Sequence, residues 1–98
     1  MARVLFRVTY TVADSKRKEY LATVAALRAH YASTDTLCAV FEDTHRHGSF
    51  EEVYVYPSMD AYEASDDPKT LGEAASALVE RLATLTENVR YAVAKEVA

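Results

Sequence analysis

Cysteine, glycine and proline are scarce in this 98-residue chain, which has one Cys, two Gly and two Pro. A lone cysteine, Cys38, excludes an internal disulfide, and the cytoplasm becomes the expected compartment. With so few turn-formers, long flexible loops and low-complexity linkers are not expected. Long apolar runs are missing too. None approaches the ~20 residues needed to cross a bilayer, and Arg7 and Thr9 interrupt the apolar N-terminal stretch, so neither a membrane span nor a signal peptide is expected. Cations are outnumbered, 11 Lys and Arg against 15 Asp and Glu, and the net charge of −4 counts against nucleic acid and anionic membranes as partners.

What is present is ordinary for one globular domain over 1–98: 50% apolar and 27% charged residues. Arg3–Val12 alternates as a strand, with Val4, Phe6, Val8 and Tyr10 on one face. Asp14 or Ser15 is expected to cap a helix reaching Tyr31, whose apolar stripe is Tyr20, Val24, Leu27 and Tyr31. Leu37–Asp43 reads as a second strand, Thr44–Ser49 as a turn and Phe50–Tyr56 as a third strand. Pro57 ends that strand and Ser58 caps a short helix, Met59–Ser65. Pro68 or the capping box Thr70–Glu73 starts the next helix, with Leu71, Ala75, Leu78, Leu82 and Leu85 as its stripe. Val89–Val97 is the last strand. The β-α-β-β-α-α-β order predicts an α+β, ferredoxin-like sandwich, a four-stranded antiparallel sheet with helices on one face.

The uncovered sheet face is expected to carry Arg3, Leu5, Arg7 and Thr9 from the first strand and Glu52, Tyr54 and Tyr56 from the third. Arg7 would then meet Glu52 or a tyrosine across the central strands. Large tyrosines on such a face favour a second subunit covering it.

The stretch Phe50–Ser65, FEEVYVYPSMDAYEAS, resembles the dimeric α/β-barrel superfamily, in particular its antibiotic-biosynthesis-monooxygenase-like branch. Ser58-Met59-Asp60-Ala61-Tyr62-Glu63-Ala64 carries the match. The resemblance implies a homodimer closing two sheets into a barrel, with a small-molecule pocket in each subunit. Its members include cofactor-independent oxygenases, heme-degrading enzymes and isomerases. Ser65 stands where those proteins often place a histidine, and tryptophan is absent, so the Asn–Trp–His constellation of the heme-degrading members cannot form. No catalytic residue is therefore transferred.

The ligand-binding candidates are Arg7, Glu52, Tyr54, Tyr56, His30 and Tyr31. Arg7 offers a planar fork for a carboxylate or enolate, against an interface ion pair as the plainer role. The tyrosines offer phenols to a quinoid or phenolic molecule, against aromatic packing. His30 suits a helix C-terminus electrostatically. His45 and His47 lack a third ligand at defined spacing, so no metal site is expected, and no cofactor is called for. Lys16-Arg17-Lys18 reads as a solvated cluster and Cys38 as a small core residue. The expected function is a small enzyme of the cofactor-independent monooxygenase type acting on an aromatic or polyketide-like molecule. The alternative is a non-catalytic ligand-binding or accessory barrel. RNA recognition shares the element order, but Glu51-Glu52 would repel phosphate.

Overall fold

The computed structural model describes residues 2–65 and 72–97. Strand β1 (Val4–Thr11) leads through a 3₁₀ turn (Asp14–Lys16) into helix α1 (Arg17–Tyr31). Strands β2 (Leu37–Glu42) and β3 (Ser49–Tyr56) form a hairpin, followed by α2 (Met59–Ala64), α3 (Glu73–Leu85) and β4 (Glu87–Lys95). The strands form one antiparallel sheet in the order β2-β3-β1-β4. The start of α3 expected at Pro68 or Thr70, and Leu71 in its stripe, lie outside the described residues.

Most of both helical stripes is inside, as their spacing requires, with Tyr31 and Leu78 half-buried against the core. Tyr20, Val24 and Leu27 of α1 and Ala75, Leu82 and Leu85 of α3 are buried, and the two helices pack against each other over the sheet. Ser58 caps α2 as expected, its Oγ accepting from the Ala61 N–H at 3.2 Å. The expected cap of α1 does not form. Asp14 sits in the 3₁₀ turn, where its carboxylate meets His47 Nε2 at 2.7 Å instead of a helix N–H.

A polar clamp joins the start of α1 to the β2–β3 hairpin. The Arg17 guanidinium donates two 2.7 Å bonds to Glu42, and the Gly48 N–H donates a third at 2.9 Å. Gly48 has φ +84°, and a Cβ there would stand 2.9 Å from the Val12 carbonyl oxygen, so the turn calls for glycine. Arg17 and Gly48 hold the Glu42 carboxyl at about 2, below its ordinary 4.5. A depressed carboxyl contributes stability that is fully present above its ordinary value and is lost as pH falls towards the folded one. Glu42→Gln is therefore expected to shrink the drop in thermal midpoint between pH 4.5 and pH 2; an acid limb identical to the parent's would contradict the clamp.

The strand register corrects the expected face of β3. Val4, Phe6, Val8 and Tyr10 do face the helices, and Tyr56, Tyr54, Glu52 and Phe50 lie directly across from them. Residues paired across antiparallel strands share a face. Glu52, Tyr54 and Tyr56 are thus under the helices, and all three are buried. The uncovered face instead holds three cross-sheet rows: Leu37–Val55–Leu5–Ala94, Ala39–Val53–Arg7–Ala92 and Phe41–Glu51–Thr9–Arg90. Arg7 stands opposite Val53 and pairs with Glu51 at 3.8 Å, not with Glu52.

Candidate small-molecule site

All seven tyrosines of the chain lie on the helix side of the sheet or on the helices themselves. Tyr10, Tyr54, Tyr56 and Tyr91 rise from the strands, Tyr20 and Tyr31 from α1, and Tyr62 from α2. Their rings fall into two groups, Tyr10 and Tyr20 with Phe50, and Tyr31, Tyr54, Tyr56, Tyr62 and Tyr91 with Phe6. Tyr91 stacks on Phe6 at 5.8 Å with 8° between planes, Tyr31 meets Tyr54 edge-on at 5.4 Å, and Tyr56 meets Tyr62 edge-on at 5.5 Å. Offset and edge-on contacts suit the ring quadrupoles and add to the value of burial alone.

The helices do not close over these rings completely. A cavity of about 360 Å³ remains between them and the sheet. Its floor is two cross-strand rows, Glu52–Val8–Tyr91 and Tyr54–Phe6, extended by Tyr10, Tyr56 and Val89. Its walls are Tyr31 of α1, Val79, Leu82 and Ala83 of α3, and Ser65 and Thr86 at the helix ends. Tyr91 and Val79 remain exposed at 68% and 45%, which leaves an entrance along β4. The volume falls within the ~300–1,000 Å³ range of small-molecule sites, and the lining is apolar with a few converging polar groups, as such sites require.

Glu52 is the chemical centre of the cavity. It is 5% exposed, yet it carries a carboxyl group. Tyr54 Oη donates to its Oε1 at 2.7 Å, and Tyr10 lies within hydrogen-bonding reach of the same group. Tyr10 in turn shares a 2.7 Å hydrogen bond with Tyr20, so a phenol pair from β1 and α1 lies beside the β3 phenol that donates to the carboxylate. Burial raises the Glu52 carboxyl above the ordinary glutamate range, and the two phenol donors offset only part of that rise. A carboxylate poised this way is a competent proton acceptor nearer neutral pH. Tyr54 has the opposite role. Burial and the adjacent carboxylate push its phenol far above the usual value, so it remains a donor. Burial likewise pushes Tyr31 up to about 12 and Cys38 up to about 11, which leaves the thiol protonated and unreactive near neutral pH.

The structure therefore divides the residues singled out from the sequence. Glu52, Tyr54, Tyr56 and Tyr31 come together in the cavity. Arg7 is on the opposite sheet face, and His30 stays outside, edge-on to Tyr31 at 5.3 Å. The cavity adds Phe6, Tyr10 and Tyr91, which the sequence reading did not single out as site residues. Their signal was the alternation itself, since Phe6 and Tyr10 share the helix-facing side with Val4 and Val8. A second depression of about 540 Å³, beside Thr9, Phe41, Arg46, Glu51 and Arg90, carries charges of both signs and no buried carboxylate facing it. The polar groups of the histidine turn are engaged: Asp43 accepts from the His45 and Arg46 N–H groups at 2.7 and 3.0 Å, and His47 bonds Asp14 of the 3₁₀ turn. No three His, Cys, Asp or Glu side chains among the described residues are grouped to hold an ion. No described helix is long and apolar enough to cross a membrane.

Solved structures with this arrangement exist. A protein from Caulobacter crescentus, proposed as an antibiotic biosynthesis monooxygenase, superposes with a TM-score of 0.84 at 15% identity, covering 99% of this chain and 92% of its own. A variant of SnoaB, a cofactor-independent oxygenase from Streptomyces nogalater, gives 0.78 at 14% identity over 98% and 94% of the two chains. A conserved protein of unknown function from Bacteroides thetaiotaomicron, suggested to be an oxidoreductase, gives 0.82 at 13% identity over 97% and 98%. This chain has their ferredoxin-like fold. At such identities the likeness concerns the fold, and the whole of it, because nearly all of each chain is matched. No protein-family profile matches the sequence, and no curated protein is significantly similar to it.

Proposed function

We propose that this protein is a small oxygenase of the cofactor-independent type, acting on a phenolic or polyketide-like aromatic molecule held against Glu52. The observation that carries the reading is a buried carboxylate, supplied with phenol donors, facing an aromatic cavity. Glu52 takes a proton from an activated ring position, and the electron pair remains on the ring as a resonance-stabilised anion. Dioxygen is the oxidant. The keto tautomer of the phenol presents a ring methylene that becomes a carbonyl, one atom of dioxygen becoming the carbonyl oxygen and the other leaving as water with the two methylene hydrogens. The protein's contribution is to orient the ring, exclude water and accept the proton. No step in this scheme calls on a metal or an organic cofactor.

The test is oxygen uptake with electron-rich phenols of two and three fused rings. Uptake with formation of the carbonyl product supports the oxygenase. Tight binding without uptake would replace it with the non-catalytic ligand-binding barrel, and neither binding nor uptake would sink both.

The same reading includes a homodimer through the uncovered sheet face. Leu37 and Phe41 are 57% and 58% exposed there, beside Val53, Val55 and Leu5, and an apolar patch of this breadth favours a partner. A second copy is the self-complementary occupant. Val55→Glu sets an unpaired charge in the row Leu37–Val55–Leu5–Ala94 and leaves the cavity side untouched. Light scattering on an eluting column should show the parent as two chains and the variant as one, with the association weakened by roughly 100-fold or more. A parent that elutes as one chain at micromolar concentration would contradict the dimer.

A further inference from the structure

The charge of the cavity is one-sided. Glu52 is the one carboxylic acid among its described lining residues, and none of them is Lys, Arg or His. The nearest arginine on the sheet, Arg7, points to the opposite face, where Glu51 engages it. The rest of the lining is aromatic or aliphatic, and Phe6, Tyr54 and Tyr91 surround the carboxylate's end of the cavity. Ring faces carry negative quadrupolar potential, which attracts cations and hydrogen-bond donors and offers nothing to an anion.

We infer that Glu52 sets the specificity of this cavity by charge, admitting aromatic molecules with a hydroxyl or amino donor and rejecting aromatic carboxylates. The inference rests on reading this cavity as the ligand site, and it holds whether or not the ligand is turned over. A hydroxyl group adds a further donor to the one Glu52 receives from Tyr54, and an ammonium group brings the cation that the lining does not supply. A second carboxylate would face the first in a site with no cation to separate them, so it enters only after taking up a proton. The fused-ring frame of either ligand is equally suited to the aromatic floor. Discrimination therefore falls on the polar group.

Calorimetric titration near neutral pH with naphthol, naphthylmethylamine and naphthoate separates the terms, because the three share one ring system and differ in the polar group. Naphthol and the amine are expected to bind, and naphthoate to bind on the order of 100-fold more weakly. In Glu52→Gln, which keeps an acceptor for Tyr54, the amine should lose its advantage and the naphthoate gap should close to within a few-fold. Naphthoate binding as tightly as naphthol to the parent protein would overturn the inference without any variant. So would an unchanged ranking in Glu52→Gln, or no binding by any of the three. Oxygen uptake is not read in this experiment, so a failed oxygenase and a failed charge rule give different results.

Discussion

Tyr20→Ala is expected to lower the unfolding free energy by about 3–5 kcal/mol, the range for deleting a large aromatic from a core. Tyr20 has no exposed surface, and its ring sits 4.5 Å from Phe50 and edge-on to Tyr10 at 5.7 Å. Its hydroxyl is bonded to Tyr10 Oη at 2.7 Å, so truncation also takes a partner from a buried phenol. A domain of this size commonly has only about 5–15 kcal/mol in total. The substitution thus brings the fold close to its limit. Tyr20→Phe separates the two contributions, because it keeps the ring and removes only the hydrogen bond, at roughly 1 kcal/mol. Urea midpoints at unchanged slope measure both. A loss below 1 kcal/mol for Tyr20→Ala would mean that Tyr10, Tyr20 and Phe50 do not form a packed core.

Glu52→Gln should move stability and activity in opposite directions. The folded-state carboxyl lies above its ordinary value because it is buried. As pH rises through the ordinary value towards the raised one, the unfolded chain releases its proton first, and stability falls across that window. Glutamine has no proton to lose and still accepts from Tyr54. The variant is expected to be more stable than the parent near neutral pH and to lack this part of the pH dependence. Oxygen uptake on a phenolic substrate should fall by about 100- to 10,000-fold, the usual contribution of a positioned general base. Parallel denaturation and oxygen-electrode runs check the pair. A variant that is more stable and inactive identifies a charge retained for chemistry. Unchanged uptake would remove Glu52 from the reaction.

The elements were legible from local patterns. Ser58 before an apolar run marked α2, period-two alternation marked the strands, and the stripes of α1 and α3 marked their buried sides. The side of β3 that faces inward was not. Val53 and Val55 look like core residues, and Glu52, Tyr54 and Tyr56 look like a wet face, but alternation defines two faces without saying which is inside. Pairing with β1 decides it, and the sequence does not print a register. The local pattern misleads here because the helix-side layer is lined by tyrosines around a carboxylate, an arrangement that composition alone ranks as surface. Such departures from core-like composition are expected where a fold holds a site. The same inversion bears on Arg7, which the alternation of β1 places on its correct face while Glu52 and the tyrosines expected beside it lie on the other. The resemblance carried by Ser58–Ala64 reached the fold, and it could not reach Glu52, whose proposed role rests on its burial and on the Tyr54 hydrogen bond.

The proposed function stands or falls with the binding of a small aromatic molecule in the tyrosine-lined cavity around Glu52. The most direct measurement is a naphthol titration followed by tyrosine-selective ¹³C NMR, since the seven tyrosines report from known places. Tyr31, Tyr54, Tyr56 and Tyr91 line the cavity, as does Tyr10, which is bonded to Tyr20, whereas Tyr20 itself is fully buried outside the lining. Saturable shifts at those four rings, with Tyr20 nearly unmoved, are the predicted result. Shifts absent from all four at saturating naphthol would contradict the account.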